Sequence, residues 1–476
     1  MNVKEKVVST TLEQSALQTE KRPMELLAPA GGWEQLFYAL HFGADAVYLA
    51  CDKFGLRQRA GNFTCEELPK AVEIAHNAGA KVYVTCNAYA HDDDLKDLPR
   101  YVEAMRDAKV DSVIVSDLGV LSIVQQHAPE LTIHVSTQAS ISNAAAAMMW
   151  YRLGARRIVC AREMSCKEIA ALRQEIPDDL EIEVFVHGAM CMAVSGRCLI
   201  SDFMTGRAAN KGQCVQPCRW EYRLMEPSRP GQEFGIEEDG IGTYLLNSKD
   251  LNMLSHIEDL RRAGVDSIKI EGRVKKAFYV ATVVNAYRHV LDGEDASVWE
   301  SELDTISHRP YSTGFFFGDA EQSTDADMYQ QLYDWVGEVV TSEQLSESQW
   351  RVWAKCRNRF YQNDVLEVLS PHMPVRSLEV LDLAEVFGYN PDTQDTAYLH
   401  EQWSAFRQAN HKENSTLIEG ANEASGNSED LNDLSYAEVP SDVARKAMGL
   451  YVFTSSCSLH CHDILRVKRK DPNRKN

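Results

Sequence analysis

Residues 41–50, HFGADAVYLA, set a pattern that the chain goes on to repeat. A helical segment runs into a small-residue turn, and a short β-branched run follows. The phrase returns as NAGAKVYVTCN (77–87), DAKVDSVIVSD (107–117), RLGARRIVCARE (152–163) and RAGVDSIKIEGR (262–273). MELLAPAGG (24–32), TIHVSTQAS (132–140) and EIEVFVHGAM (181–190) bring the candidate strands to eight. Most are nearly continuous apolar runs, the pattern of parallel strands covered on both faces. Helical sequence such as CEELPKAVEIAHNAG (65–79) and CKEIAALRQEI (166–176) separates several of them. Glycine before a strand suits a helix C-cap and a tight turn into the sheet. Eight alternating units predict an α/β chain closed as a TIM-like (β/α)8 barrel. An open doubly wound sheet is the alternative, but no GxGxxG turn follows the first strand.

Barrels of this kind work at the C-terminal ends of their strands. Those ends carry Asn87, Asp117, Gln138, Arg162 with Glu163, His187, and Glu271 with Arg273. Any one of them alone reads equally well as a loop cap. Together, after six of eight apolar runs, they describe a polar mouth on a dry barrel.

The expected organisation has a flexible tail over 1–22 and the barrel over 23–325. A small β domain follows over 330–400, where WVGEVV, RVWAKCRNRF and DVLEVLSP alternate at period two. Residues 448–468 would complete it. Residues 405–445 are acidic and low in complexity, and are expected to be a disordered insertion. The N-terminal stretch is polar, without the apolar core of a signal peptide, and no run approaches the roughly 18–20 apolar residues needed to span a bilayer. A cytoplasmic protein with no membrane contact is expected. Its net charge of −21 argues against a generic polyanion binder, because phosphate contacts need Lys and Arg. Basic residues do recur locally, at Arg197, Arg207, Lys211 and Arg219, and at Arg273, Lys275 and Lys276.

Four of the twelve cysteines, Cys191, Cys198, Cys214 and Cys218, fall in an insertion after the seventh strand, within 187–222. In a reducing compartment, clustered thiols read as metal ligands or catalysts rather than disulfides. Spacings of CMAVSGRC (191–198) and CVQPC (214–218) are loose for a structural zinc site. Four thiolates on Gly-rich loops suit a 4Fe–4S cluster, and zinc or no metal stays open on spacing alone. Cys51, Cys86, Cys160 and Cys356 read as small core residues beside strands. CSLHCHD (457–463) is a second, weaker metal candidate.

EVFVHGAMCMAVSGRCLIS (183–201) closely resembles the signature of peptidase family U-32, the collagenase-like peptidases. The likeness continues through LLAPAGG, GADAVYLA, HVSTQASISN, NKGQCVQPCRWEY, GTYLLNSKDL, IKIEGRVK and HRPYSTGFF, over roughly residues 23–320. Within the family it is strongest to the bacterial tRNA 5-hydroxyuridine synthase branch. That resemblance implies tRNA as partner and oxygen-independent hydroxylation of wobble uridine at carbon five. It implies prephenate as the small-molecule hydroxyl donor, and dependence on the iron–sulfur assembly machinery. Carried over by position, the ligands of a 4Fe–4S cluster become Cys191, Cys198, Cys214 and Cys218. A dicarboxylate donor needs cations, and Arg57, Arg59, Arg162 and Arg273 are the candidates. Glu271 and His187 are candidates for proton transfer. A target uracil would enter unstacked, with Trp220 and Tyr222 near Arg219 available for stacking.

Two other functions compete. A cysteine peptidase would pair Cys191 with His187, yet leaves three clustered cysteines unexplained, and no GxSxG or HExxH is present. A non-catalytic Fe–S subunit of a ring-hydroxylating complex is the other, disfavoured by the charged residues at several strand ends.

Overall fold

The computed structural model describes residues 23–52, 54–55, 61–88, 90–190, 200–207, 209, 213–217, 224–225, 233–234, 249–318, 330–387 and 437–469. Eight strands alternate with eight helices: β1 Glu25–Pro29, α1 Trp33–His41, β2 Ala46–Leu49, α2 Leu68–Asn77, β3 Lys81–Cys86, α3 Leu98–Asp107, β4 Ser112–Val115 and α4 Leu118–His127. The second half runs β5 Thr132–Val135, α5 Ala144–Arg152, β6 Ala155–Val159, α6 Cys166–Glu175, β7 Glu181–Ala189, α7 Ile257–Arg262, β8 Ser267–Ile270 and α8 Ala277–Leu291. Consecutive strands pair in parallel, and β8 pairs with both β7 and β1. The sheet therefore closes on itself, and the expected (β/α)8 barrel is what the chain forms.

Alternation within each strand divides the core. Leu26, Val47, Val82, Val84, Val113 and Val115 belong to one large apolar cluster with the helices. Leu27, Ala46, Tyr48, Tyr83 and Ile114 form a separate cluster that fills the lumen. Both faces are dry, which explains the unbroken apolar runs. The repeated turns depend on backbone that only glycine adopts cheaply: Gly43, Gly79, Gly154 and Gly264 have φ of +94°, +78°, +97° and +80°. Before β4 that place is taken by Lys109, at φ +61°. Asp117, Asn143 and Ser165 cap the N-termini of α4, α5 and α6, and the Ser165 N–H in turn donates to the Glu168 carboxylate.

Charged residues occupy lumen positions below the mouth. Arg157 on β6 is 3% exposed and donates to Glu25 (3.2 Å), Glu181 (2.8 Å) and Glu183 (3.1 Å). The Lys269 ammonium lies 2.8 Å from the other Glu183 oxygen. Tyr83 and Ser267 donate to Glu25 at 2.8 and 3.1 Å. Every buried charge here has a partner of opposite sign, as burial requires.

The short strand Asp250–Asn252 runs antiparallel to the end of β7 and extends the sheet outside the ring. After helix α9 (Ala296–Leu303) comes an eight-stranded antiparallel sheet. Its strands are β9 Tyr333–Ser346, β10 Gln349–Cys356, β11 Val365–Leu369, β12 Arg376–Glu379, β13 Leu381–Phe387, β14 Ala437–Pro440, β15 Leu450–Ser455 and β16 Ile464–Lys468, in the order β12-β11-β16-β9-β10-β15-β13-β14. One boundary needs correction. The acidic stretch 405–445 was expected to be disordered throughout, yet β14 pairs with β13 and Val443–Ala444 pairs with Phe360–Tyr361. A four-residue edge strand ending in Pro440 leaves little trace in a composition average. Residues 1–22 and 388–436 lie outside the described residues. Among the described residues, no helix is long and apolar enough to cross a membrane.

The β domain docks through buried charge. Arg466, 1% exposed, holds Glu302 of α9 at 2.7 and 2.8 Å and Glu367 at 2.7 Å. Arg357 bridges Glu34 of α1 (2.7 Å) and Glu338 (2.6 Å), and the His462 ring packs on Phe37 of α1. His462 Nδ1 lies 2.9 Å from Glu338. Burial alone would lower the His462 pKa, but hydrogen bonds to Cys461 and Glu338 outweigh it and hold it up at about 9. Burial would likewise raise Glu338, and His462 with Arg357 bring it down to about 2. For the histidine, stability from this contact is complete below its ordinary pKa of 6.5 and is lost as pH rises through about 9. On the order of 2–3 kcal/mol is expected to disappear over that window. Denaturation midpoints measured from pH 6 to pH 9.5 should fall for the wild type and stay flatter for His462→Gln; parallel curves would show that the histidine does not carry the effect. His462 of the CSLHCHD segment thus takes part in docking, and among the described residues no group of three His, Cys, Asp or Glu side chains is placed to hold a metal.

Candidate active site at the barrel mouth

The C-terminal ends of the strands gather several of the expected residues and disperse others. Arg162 follows β6 and turns across the mouth. Its guanidinium stacks 3.9 Å from the centre of the Phe185 ring, donates to the Ala189 carbonyl at 2.8 Å, and stands 3.7 Å from the Glu271 carboxylate. Arg273, after β8, is 3% exposed and reaches Thr85 of β3, donating to its hydroxyl at 3.1 Å. The C-terminal strand ends thus carry an Arg162–Glu271 pair and, separately, the Arg273 guanidinium on Thr85; a surplus of positive charge there favours an anionic ligand. Lys269 lies deeper, 4.4 Å from the Tyr48 ring centre and held by Glu183.

Two glycines make this crowding possible. A Cβ on Gly31 would stand 1.8 Å from the Arg273 carbonyl oxygen, so the loops after β1 and β8 touch backbone to backbone. Gly188 has φ +99°, and a Cβ there would stand 2.6 Å from the Glu271 carbonyl oxygen.

His187 is placed differently from the expectation. The pairing of β7 with β8 slips between Phe185 and His187, leaving Val186 as a bulge. The Val186 carbonyl accepts from the Tyr287 hydroxyl at 2.9 Å, and the His187 ring turns onto Tyr279, Tyr287 and Tyr311 at 5.4–5.9 Å between ring centres. It faces the helix layer, not the lumen. Neither ring nitrogen has a hydrogen-bond partner among the described residues. Burial first, then the charges of His308 and Lys275, lower its pKa to about 3. Turned toward the helix layer, the ring does not face the lumen where it was expected to move protons, and its lowered pKa disfavours the imidazolium of a thiolate–imidazolium peptidase pair. Asp117 is likewise spent, capping α4 through Val120 N–H at 3.0 Å.

Of the four clustered cysteines, Cys214 lies within the described residues; Cys191, Cys198 and Cys218 lie outside them, as do Arg57 and Arg59. Cys214 is half-buried, and its sulfur accepts the Gln216 N–H at 3.3 Å. Gln216 has φ +58°, the left-handed backbone that aims that N–H at the sulfur. The preceding N–H, from Val215, is tied to Ser201 Oγ at 3.2 Å on the short helix Ile200–Thr205. Hydrogen bonds to sulfur are one means by which proteins hold and tune iron–sulfur clusters, and the Gln216 N–H makes such a bond to Cys214. Cys51, Cys86, Cys160 and Cys356 are buried core residues, as expected, and burial pushes the Cys86 and Cys160 thiols up to about 12.

Sequence reasoning missed Thr85, Ser136, Phe185 and Lys269, which lie within or just beyond apolar runs. The available signal was parity, since Glu183 and Phe185 share one face of EIEVFV and Lys269 interrupts SIKI.

The chain matches the model of peptidase family U32 over residues 31–326. It is 40% identical over 379 residues to tRNA hydroxylation protein P1 of Bacillus subtilis (strain 168), covering 77% of this chain and 87% of that one. Against tRNA hydroxylation protein P of Escherichia coli (strain K12), identity is 34% over 425 residues, covering 77% and 92%. A 23S rRNA 5-hydroxycytidine synthase of the same organism is 38% identical over 269 residues, 56% of this chain and 39% of that one.

Proposed function

The chain belongs to peptidase family U32, and we propose that it is an RNA hydroxylase that converts wobble uridine of tRNA to 5-hydroxyuridine, with prephenate as hydroxyl donor and a 4Fe–4S cluster on Cys191, Cys198, Cys214 and Cys218. The observation that carries the reading is the similarity to two tRNA hydroxylation proteins across nearly their whole length. The mouth supports it with chemistry of the right kind. In this reading Arg162 and Arg273, at the strand ends, pair with the carboxylates of a dicarboxylic donor, joined by Arg57 and Arg59, which follow β2 in the sequence. Glu271, beside Arg162, is the carboxylate available to hold or move a proton. A cluster held by Cys191, Cys198, Cys214 and Cys218 would supply a redox-active, Lewis-acidic iron. The lumen below is filled by side chains, so the reaction is confined to the mouth, where an unstacked base can reach it.

One anaerobic preparation tests this. It should contain about four irons and four sulfides per chain, and it should form 5-hydroxyuridine in an unmodified tRNA transcript only when prephenate is added. The variant with all four cysteines changed to alanine should lose both metal and product. Zinc in place of iron, or product formed equally without prephenate, would overturn the reading.

A further inference from the structure

Between the ends of β3 and β5 lie two side-chain amides that the fold holds in place but does not use. After β5 the chain makes a single turn of 3-10 helix, Thr137–Ala139. Thr137 ties it to β6 through the Cys160 carbonyl (2.9 Å), and Ser140 ends it at φ +54°, a left-handed conformation that costs a non-glycine residue energy. Ser136 Oγ accepts the Gln138 N–H at 3.4 Å. The same oxygen accepts from Asn87 Nδ2 at 3.0 Å and lies 3.5 Å from Gln138 Oε1, to which it donates. One hydroxyl thus orients two amides. The Asn87 backbone is pinned separately, its carbonyl accepting from Ser116 Oγ at 3.1 Å.

What this leaves over is specific. Asn87 Oδ1 and Gln138 Nε2 are buried and have no hydrogen-bond partner among the described residues, and Gln138 is only 5% exposed. A buried acceptor and a buried donor, side by side and unmet, are costly unless a ligand meets them. They stand at the mouth, Asn87 two residues beyond the Thr85 that Arg273 contacts.

Building on the reading of the mouth as an RNA-hydroxylating site, we propose that Asn87 and Gln138 select uracil over cytosine. Asn87 Oδ1 accepts the uracil N3–H, and Gln138 Nε2 donates to the C4 carbonyl oxygen. Cytosine offers the opposite pair, an acceptor at N3 and a donor at its 4-amino group, so it meets both amides wrongly in the orientation in which Ser136 holds them, with Asn87 Nδ2 and Gln138 Oε1 toward its hydroxyl. Engagement through N3 and O4 leaves the C5–C6 edge of the ring free to react. Leaving polar groups unmet is how a site of this kind rejects a near-isostere.

The test uses full-length protein and anticodon stem-loop RNAs with uridine, cytidine or 3-methyluridine at the wobble position, read by binding anisotropy and by turnover. The wild type is expected to bind the uridine RNA about 10- to 100-fold tighter than the other two. Asn87→Leu, close in size but without an acceptor, should bind uridine and 3-methyluridine alike. Gln138→Glu, isosteric with a carboxylate in place of the donor, should weaken uridine and improve cytidine relative to it, which a merely structural role would not produce. Equal wild-type binding of the three RNAs, or unchanged preference in both variants, overturns the proposal. Selective binding without hydroxylation would instead overturn the hydroxylase reading and leave the base selection standing.

Discussion

Replacing Arg157 by methionine is expected to destabilise the barrel by about 3–5 kcal/mol, the cost of removing one partner from a buried charge set. Glu25 and Glu183 lie inside the lumen, and without the guanidinium Glu183 keeps Lys269, while Glu25 keeps the more distant, exposed Lys81 at 3.9 Å and the neutral donors Tyr83 and Ser267. The methionine fills similar space, so the loss reports charge rather than volume. Urea denaturation of wild type and variant measures it. A loss below about 1 kcal/mol would mean that water or protonation relieves the carboxylates. Acid should act in the same direction: burial raises the Glu25 pKa, but Arg157 more than offsets it and holds it below 4.5, so its contribution is present above that value and fades below it. In Arg157→Met that acid-side loss should be reduced.

Replacing Arg162 by alanine is expected to lower kcat/KM for the hydroxyl donor on the order of 100-fold, with the melting temperature changed far less. The guanidinium is held by Phe185 and the Ala189 carbonyl, so its geometry is set before a ligand arrives. The effect should fall mainly on KM for the donor and little on RNA binding. Arg162→Lys should recover part of it, since an ammonium keeps the charge but not the two-pronged contact. A variant with unchanged donor KM would remove Arg162 from the binding site.

The barrel was legible in the sequence because strands buried on both faces leave long apolar runs, and because small turns recur before them. Even where Lys109 replaces the usual glycine, the run SVIV marks the strand. The mouth was legible as a region, since Asn87, Gln138, Arg162, Glu271 and Arg273 all follow strands that end there. What those residues touch was not. The Arg162–Glu271 pairing joins β6 to β8, and only ring closure brings them together. His187 stands at the right position in the sequence, but a one-residue bulge reverses its face, and the EVFVHG pattern carries no mark of it. The lumen charges were hidden for a related reason. Arg157, Glu183 and Lys269 look like isolated interruptions until the closed barrel sets them against one another. The second domain announced itself by alternation, and its edge strand β14 escaped because four residues with one partner leave too short a pattern.

The central claim is that this mouth hydroxylates tRNA uridine, and mass spectrometry of tRNA nucleosides tests it most directly. The chain would be expressed in a bacterial host stripped of its own 5-hydroxyuridine-forming activity. Wild-type protein is expected to restore 5-hydroxyuridine at wobble positions, while Arg162→Ala and the four-cysteine variant leave unmodified uridine. Wild-type protein, soluble and iron-loaded, that restores none would contradict the claim.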